Sequence, residues 1–410
     1  MKKLTLAEWE KKYVVGTIER FDQKYTMFAR PDWDMDIRGQ LDDWSFYGES
    51  QNKPGWGLEE YGMRRATGPV TMMFNLFNAE KPNPFRATKA IMKTLAEINP
   101  GMSGAAVKPP EGTRVDVSDP QRITFIIKKV ARYFGADIVG VCRLDRRWVY
   151  AHSYDFNPYT AGNTEKPMGI PAPQEMPEKY QYALVLGFEM DYDIYRYTTS
   201  VLAGGATGLG YSQMAYTNAL IAEYIRNLGF SVIDCTTNDV ALTVPMAMQA
   251  GMGDIGRNGL LITPQFGPRV RLSKIITDLP LVPDSPIDFG VTEFCKACEK
   301  CADHCPSNSI MNGDRTAEVN NASNVSGALK WPINAETCRM YWAKAKKGGG
   351  CTLCVSTCPY NKVDTWPHRI VRWFTDHARW MDKLFVVGDD MLGYGKPRNP
   401  DKFWEEWEPR

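Results

Sequence analysis

From Asp119 onward the chain alternates segments of helical and of strand-like hydrophobic period. The spacing predicts a helix over 121–134, strands over 138–143 and 182–189, and a helix over 211–228. A strand over 231–234, a helix over 240–250 and strands over 260–263 and 269–277 follow. This order reads as one α/β core, 116–285, of ordinary domain size. Ahead of it, Phe21, Tyr25, Phe28, Trp33, Trp44, Phe46, Tyr47, Trp56 and Tyr61 are interleaved with Pro, Gly and Asp. That pattern predicts an irregular N-terminal wrap over 1–115, with a helix at 84–98 and a Gly/Pro linker at 100–112. At the far end, Ile370, Trp373, Phe374, His377, Trp380 and Leu384 recur at helical spacing, so 366–410 is expected to pack a helix back on the body. The longest apolar run, 182–188, has the length of a buried strand and is too short to span a bilayer.

Composition narrows the class. In 410 residues, Lys+Arg (49) almost balances Asp+Glu (48), so a nucleic-acid reader driven by net charge is not expected. Hydrophobic residues at 43% and charged residues at 24% fit a globular chain with a large core. The first residues, from Met1, carry two lysines but no apolar h-region and no twin arginine; no export signal is expected in them, and a removed signal stays open.

The ten cysteines carry the chemistry, because eight of them lie between Cys295 and Cys358. Cys295-x2-Cys298-x2-Cys301-x3-Cys305-Pro306 is the bacterial ferredoxin spacing, in which three close thiolates hold one [4Fe-4S] cube and the fourth reaches the other cube. Cys338-x12-Cys351-x2-Cys354-x3-Cys358-Pro359 repeats it with the first gap stretched. By the crossover rule one cluster takes Cys295, Cys298, Cys301 and Cys358, and the other Cys305, Cys338, Cys351 and Cys354. The two-cluster domain is placed at 286–365. Structural zinc also accepts four thiolates at Cys-x2-Cys spacing, but it does not require the paired x3-Cys-Pro ends. Cys142 and Cys235 read as core thiols.

A two-cluster segment after an α/β core, preceded by Gly204-Gly205-Ala206-Thr207-Gly208-Leu209-Gly210-Tyr211-Ser212 and Gly267-Pro268-Arg269-Val270-Arg271, resembles the respiratory reductive dehalogenases, and within them most the chloroalkane members of the chloroform and trichloroethane type. The resemblance implies an α+β fold: a nitroreductase-like core holding a corrinoid base-off, and a ferredoxin-like domain with two [4Fe-4S] clusters. It implies replacement of a halogen of a small organohalide by hydrogen, with Co(I) supplying electrons and a tyrosine supplying the proton. That tyrosine maps to Tyr211, supported by Arg271 and Asn238; Tyr216 is the alternative acid, and Arg269 and Arg257 are alternative partners. A cation beside a phenol stabilises the phenolate left by donation. Gly205, Gly208, Gly210 and Ser212 are the expected corrinoid contacts, on a glycine-rich turn that leads into the helix at Tyr211. The lower-ligand motif Asp-x-His-x-x-Gly is absent, which suits a cobalt with no protein histidine. Phe21, Tyr25, Phe28, Trp33, Trp44 and Trp366 are candidates for an apolar pocket wall.

The resemblance further implies a small integral-membrane anchor protein, an upstream respiratory electron donor, no nucleic-acid partner, and a place on the extracytoplasmic face of the cell membrane after loss of a twin-arginine signal. Two other readings compete: an epoxyqueuosine reductase, which would work on tRNA, and a two-cluster electron carrier, which would leave nearly three hundred residues before Cys295 unexplained. Gly251-x-Gly253-x-x-Gly256 fits a dinucleotide fingerprint formally, but it precedes a short strand rather than a helix, so no nicotinamide site is expected.

Overall fold

The computed structural model describes residues 1–40, 54–67, 112, 114–154, 171–237, 239–344 and 351–407. The core sheet has four strands: β1 Ile138–Arg143, β2 Tyr182–Glu189, β3 Val232–Cys235 and β4 Val270–Thr277, in the order β1-β2-β4-β3. All three pairings are antiparallel. Strand period sends alternate residues to opposite faces, and both faces are apolar here. Val139, Val141, Leu184, Leu186, Phe188 and Ile275 meet one helical layer, while Cys142, Ala183, Val185 and Ile276 meet the other. Each such buried aliphatic or aromatic side chain contributes roughly 1.5–3 kcal/mol. The two lone cysteines, Cys142 and Cys235, are core thiols at 2% and 0% exposure.

Ten helices bear on the site. They are α1 Leu6–Tyr13, α2 Leu58–Ala66, α3 Pro120–Tyr133, α4 Val201–Asn227 and α5 Thr243–Gln249. Beyond the core come α6 Val291–Cys298, α7 Ala335–Lys344, α8 Leu353–Ser356, α9 Trp366–His377 and α10 Asp382–Met391. Helices α3 and α4 cover one face of the sheet through Ile123, Ile127, Met214 and Ile221; α5 covers the other with Trp9 and Tyr13 of α1. The described part of the N-terminal segment packs on the rest of the chain. Lys2–Lys3 pairs with Ile287–Asp288, and the Ala151 amide donates to the Phe21 carbonyl.

Two expectations need correction. The stretch 204–210 is not a turn: α4 starts at Val201 and runs straight through it, ten residues ahead of Tyr211. Glycine costs about 1 kcal/mol each in a helix, and the offsetting contact is close packing. A Cβ on Gly208 would stand 2.1 Å from Thr67 Oγ1, and one on Gly210 3.0 Å from Arg271 Cγ. The tail, in turn, is not one packed helix. Ala378 (φ −132°, ψ 64°) ends α9, a short 3-10 turn follows, and α10 begins at Asp382. Phe385 and Val386 of α10 pack inward, whereas Trp366, Trp373, Trp380 and Leu384 are exposed. The helix at 84–98, the linker at 100–112 apart from Gly112, and Trp44 lie outside the described residues.

Among the described residues no helix is long and apolar enough to cross a membrane. Between Gly253 and Gly256, Asp254–Ile255 forms a two-residue strand paired with Leu261–Ile262, the short strand that the sequence places after these glycines.

Candidate functional site

Helix α6 carries Cys295 and Cys298 one turn apart. Glu299 then adopts a left-handed conformation (φ 49°) and reverses the chain, so that Cys301 comes back toward them. Cys358, fifty-seven residues beyond Cys301, completes this group: Cys295, Cys298, Cys301 and Cys358 line one cavity with Phe294, Pro359 and Tyr360. Burial, and after it the neighbouring Cys358, push Cys295 up. Burial pushes Cys298 up to about 12 and Cys358 to about 11.

The other four thiols feel one another. Burial, then Cys351 and Cys305, push Cys338 up to about 12, and Cys354 is raised by burial and then by Cys338, Cys351 and Cys305. Cys305, by contrast with Cys338 and Cys354, is lowered. Hydrogen bonds from Ser307 and from the Ser309 amide, at 3.3 Å, outweigh the upward push of its burial. Cys354 is also felt by Cys301 and by Cys358, so the eight thiols stand in one neighbourhood. Among the described residues no three His, Cys, Asp or Glu side chains converge on a point as a single metal ion needs. The first set instead rings a cavity, a donor arrangement suited to a polynuclear cage.

The second chemical centre lies between α4 and β4. Arg271 sits opposite Phe188 in the sheet register and reaches α4, where its Nη1 donates to the Tyr211 hydroxyl at 3.3 Å and its Nη2 to Thr207 Oγ1 at 3.3 Å. Its guanidinium also stands 4.8 Å from the Tyr211 ring centroid. Against the pull of burial, Tyr211 and Tyr195 hold the Arg271 charge raised. Among the described residues, Arg271 Nε is buried with no partner.

Neither alternative arginine serves this tyrosine. Arg269 is fully buried and bonds Glu189 and Asn361 Oδ1; Arg257 donates to the Cys295 and Met311 carbonyls and thereby fixes the cysteine segment to the core. Tyr216 is half-exposed, five residues along α4. Asn238 lies outside the described residues. Gly205, Gly208 and Ser212 face the 58–67 segment: the Ser212 hydroxyl donates to the Thr67 carbonyl at 2.6 Å, and a Cβ on Gly205 would stand 3.7 Å from Arg64 Cα. Gly210 instead makes room for Arg271.

Sequence reasoning missed Thr207 and Tyr195, whose hydroxyls meet at 2.6 Å and extend the Arg271 group. Thr207 precedes Tyr211 by four residues, a neighbour on a helix surface, and it becomes visible only once 204–210 is read as helix. Of the aromatic candidates, Phe21, Tyr25 and Trp33 form a chain of edge contacts at 6.5 and 5.5 Å that continues from Phe21 to Tyr150 at 6.2 Å. Tyr150 is 1% exposed, and among the described residues its hydroxyl has no partner. Phe28 lies 5.8 Å from the Arg339 guanidinium and is partly exposed, and Trp366 at 73% exposure stands apart on the surface. A separate cavity of about 330 Å³ lies between α2, α4 and β2, lined by Met63, Glu189, Met190, Tyr192, Gly205 and Leu209 among others.

No family model matches the chain. It is 39% identical over 305 residues to a tetrachloroethene reductive dehalogenase of Sulfurospirillum multivorans, covering 71% of this chain and 60% of that protein. It is 33% identical over 409 residues to a tetrachloroethene reductive dehalogenase of Desulfitobacterium hafniense, covering 86% of this chain and 71% of that protein. A solved reductive dehalogenase structure, described as suggesting a mechanism for B12-dependent dehalogenation, superposes with a TM-score of 0.70 at 23% identity, over 98% of this chain and 50% of its own. The chain therefore spans about 60% of the first of these relatives and half of the solved structure. Similarity to an epoxyqueuosine reductase of Lactococcus garvieae is confined to 35% of this chain, at 28% identity. With a mixed α/β fold that matches the solved structure and a 33% identical match to the Desulfitobacterium enzyme over 86% of this chain, the chain belongs to the reductive dehalogenase family.

Proposed function

We propose that this protein is a corrinoid-dependent reductive dehalogenase that replaces a halogen of a small chlorinated hydrocarbon by hydrogen and acts as terminal reductase of organohalide respiration. The observation that carries the reading is the Tyr211–Arg271 pair, 3.3 Å apart on α4 and β4, in a chain of this family. A nitroreductase-like core over 116–285 would hold the corrinoid base-off, with no histidine ligand. The ferredoxin-like segment 286–365 would hold two [4Fe-4S] clusters, one on Cys295, Cys298, Cys301 and Cys358 and the other on Cys305, Cys338, Cys351 and Cys354. The donor sets fit the clusters, since four thiols ring one cavity and the remaining four feel one another's charge.

When bound, the corrinoid supplies low-potential electrons for cleaving the carbon–halogen bond. The chain's own residues handle the proton. Tyr211 Oη donates it to the substrate carbon, and Arg271, whose remaining Nε is free to take a further acceptor, stabilises the phenolate left behind. Thr207 and Tyr195 hold the guanidinium in place, and Asn238 is kept as a further polar neighbour. Phe21, Tyr25, Trp33 and Tyr150 offer an apolar wall suited to a ligand held by shape and dispersion. Contacts to the corrinoid from Gly205, Gly208 and Ser212 require the 58–67 segment to yield.

For substrate class we favour chloroalkanes of the chloroform and trichloroethane type over the tetrachloroethene of the curated relatives. Partners in this reading are an upstream electron donor and a small integral-membrane anchor, with the protein held peripherally on the extracytoplasmic face and a twin-arginine signal removed. The test is anaerobic purification with metal analysis and turnover. About one cobalt and about eight irons per chain, with chloride release from chloroform or trichloroethane exceeding that from tetrachloroethene, support the full reading. Chloride release only from tetrachloroethene moves the substrate class, and cobalt-free or inactive protein reconstituted with corrinoid overturns the function.

A further inference from the structure

Helix α10 does more at the first cysteine set than exclude water. Its Phe385 and Val386 pack on the apolar cluster that contains Cys295, Cys298, Cys358, Phe294 and Tyr360. One turn on, Asp389 enters the same region with its side chain 6% exposed. Its Oδ2 accepts from Lys300 Nζ at 2.6 Å and its Oδ1 from Lys362 Nζ at 2.7 Å. Lys300 lies between Cys298 and Cys301 in the chain, and Lys362 follows Cys358 by four residues. Both lysine side chains are buried, at 6% and 10% exposure. A fourth charge, Asp390, also meets Lys300 at 2.7 Å but is 56% exposed and therefore screened. The buried groups alone are two ammoniums and one carboxylate, an excess of one positive charge beside four thiols.

Buried charges are expensive, and a network of this kind is weak evidence for stability. Its use follows from where it sits. In low-dielectric surroundings a fixed charge acts strongly on its neighbours, and both buried ammoniums are carried by the cysteine motifs themselves, Lys300 between Cys298 and Cys301 and Lys362 four residues after Cys358. The second set has hydroxyl and amide donors at Cys305 instead, from Ser307 at 3.5 Å and Ser309 at 3.3 Å.

We propose that Lys362 and Lys300, positioned by Asp389 of α10, set the reduction potential of the cluster held by Cys295, Cys298, Cys301 and Cys358, which makes the C-terminal helix a potential-setting element of the electron relay. The inference rests on the two-cluster reading above. A cluster on four thiolates gains negative charge when it takes an electron, so a nearby cation favours the reduced form and an anion opposes it.

The experiment is a redox titration of the purified holoprotein, followed by electron paramagnetic resonance, on the signal that Cys298→Ser removes. Lys362→Met should lower the reduced-to-oxidised ratio of that cluster at fixed potential by about three- to tenfold; tenfold corresponds to about 59 mV for one electron. Lys362→Arg should restore it, and Asp389→Asn should move the ratio the other way. The Cys338-set signal should stay where it is. A merely structural role would lose iron without these opposed shifts. If Lys362→Met fails to assemble the cluster, the sign of the Asp389→Asn shift decides. Clusters present with unshifted potentials in both variants overturn this inference alone, whereas no iron-sulfur signal assigned to Cys298 overturns the cluster reading with it.

Discussion

At the scale of single residues, the site turns on which side chain Arg271 can reach. Its guanidinium forks between Tyr211 and Thr207, at 3.3 Å each. Tyr211→Phe keeps the ring and removes only the hydroxyl, so cluster and corrinoid content should persist while the chemical step slows by about 10²–10⁴-fold, the worth of a positioned general acid. Tyr216→Phe should leave turnover near normal. The reverse pattern in single-turnover rates would move the acid to Tyr216. A second residue offers a test in pH. Asp382, the first residue of α10, is raised to about 6 by burial and then by Glu293, with Arg379 pulling the other way. An acid that holds its proton more tightly folded than unfolded contributes stability that is complete below about pH 4 and is lost as pH climbs through about 6. Asp382→Asn should flatten that decline in melts run across the window; identical slopes in the two proteins would show that Asp382 does not titrate there.

At the scale of elements, α4 shows tertiary packing overriding local signals. Four glycines among seven residues read as a turn, yet the helix continues, because close approach of the 58–67 segment and of Arg271 uses the missing side chains. The glycines are not equivalent. Gly208→Ala would drive a methyl to 2.1 Å from Thr67 Oγ1, which is itself tied to the Arg64 carbonyl. A loss of about 1–3 kcal/mol is expected from overpacking. A Cβ at Gly205 meets Arg64 at an ordinary 3.7 Å, so Gly205→Ala should gain up to about 1 kcal/mol from helix propensity. Denaturant melts of the two variants should move in opposite directions, and a shared direction would refute the packing account of this helix.

At the scale of the molecule, Cys358 joins Cys295, Cys298 and Cys301 around one cavity although fifty-seven residues separate it from Cys301. In the proposed ligation each set takes its fourth thiol from the other motif, which would tie the segments around 295–305 and 338–358 into one unit. Cys305→Ser should therefore remove iron from the site built on Cys338, Cys351 and Cys354 and spare the Cys295 site. Iron content and magnetic resonance check this, and loss of the Cys295 signal alone would refute the crossing.

The strands of the core were legible because both faces of the sheet are buried, which leaves near-continuous apolar runs at 138–142 and 182–188, while 270–277, broken by Arg271, Ser273 and Lys274, keeps Val270, Leu272, Ile275 and Ile276, and the ends came within about a residue. The meeting of Cys295, Cys298, Cys301 and Cys358 around one cavity was legible for a different reason: covalent spacing limits which thiols can come together. The Tyr211–Arg271 pair came from family resemblance, and only the antiparallel register of β4 beside α4 selected Arg271 over Arg269 and Arg257. The helical state of 204–210, the Thr207 and Tyr195 hydroxyls, the exposed face of the tail and the Lys300–Asp389–Lys362 network were decided by tertiary structure. Each depends on groups far apart in the chain meeting at a few ångströms, and no local period or propensity encodes such a meeting.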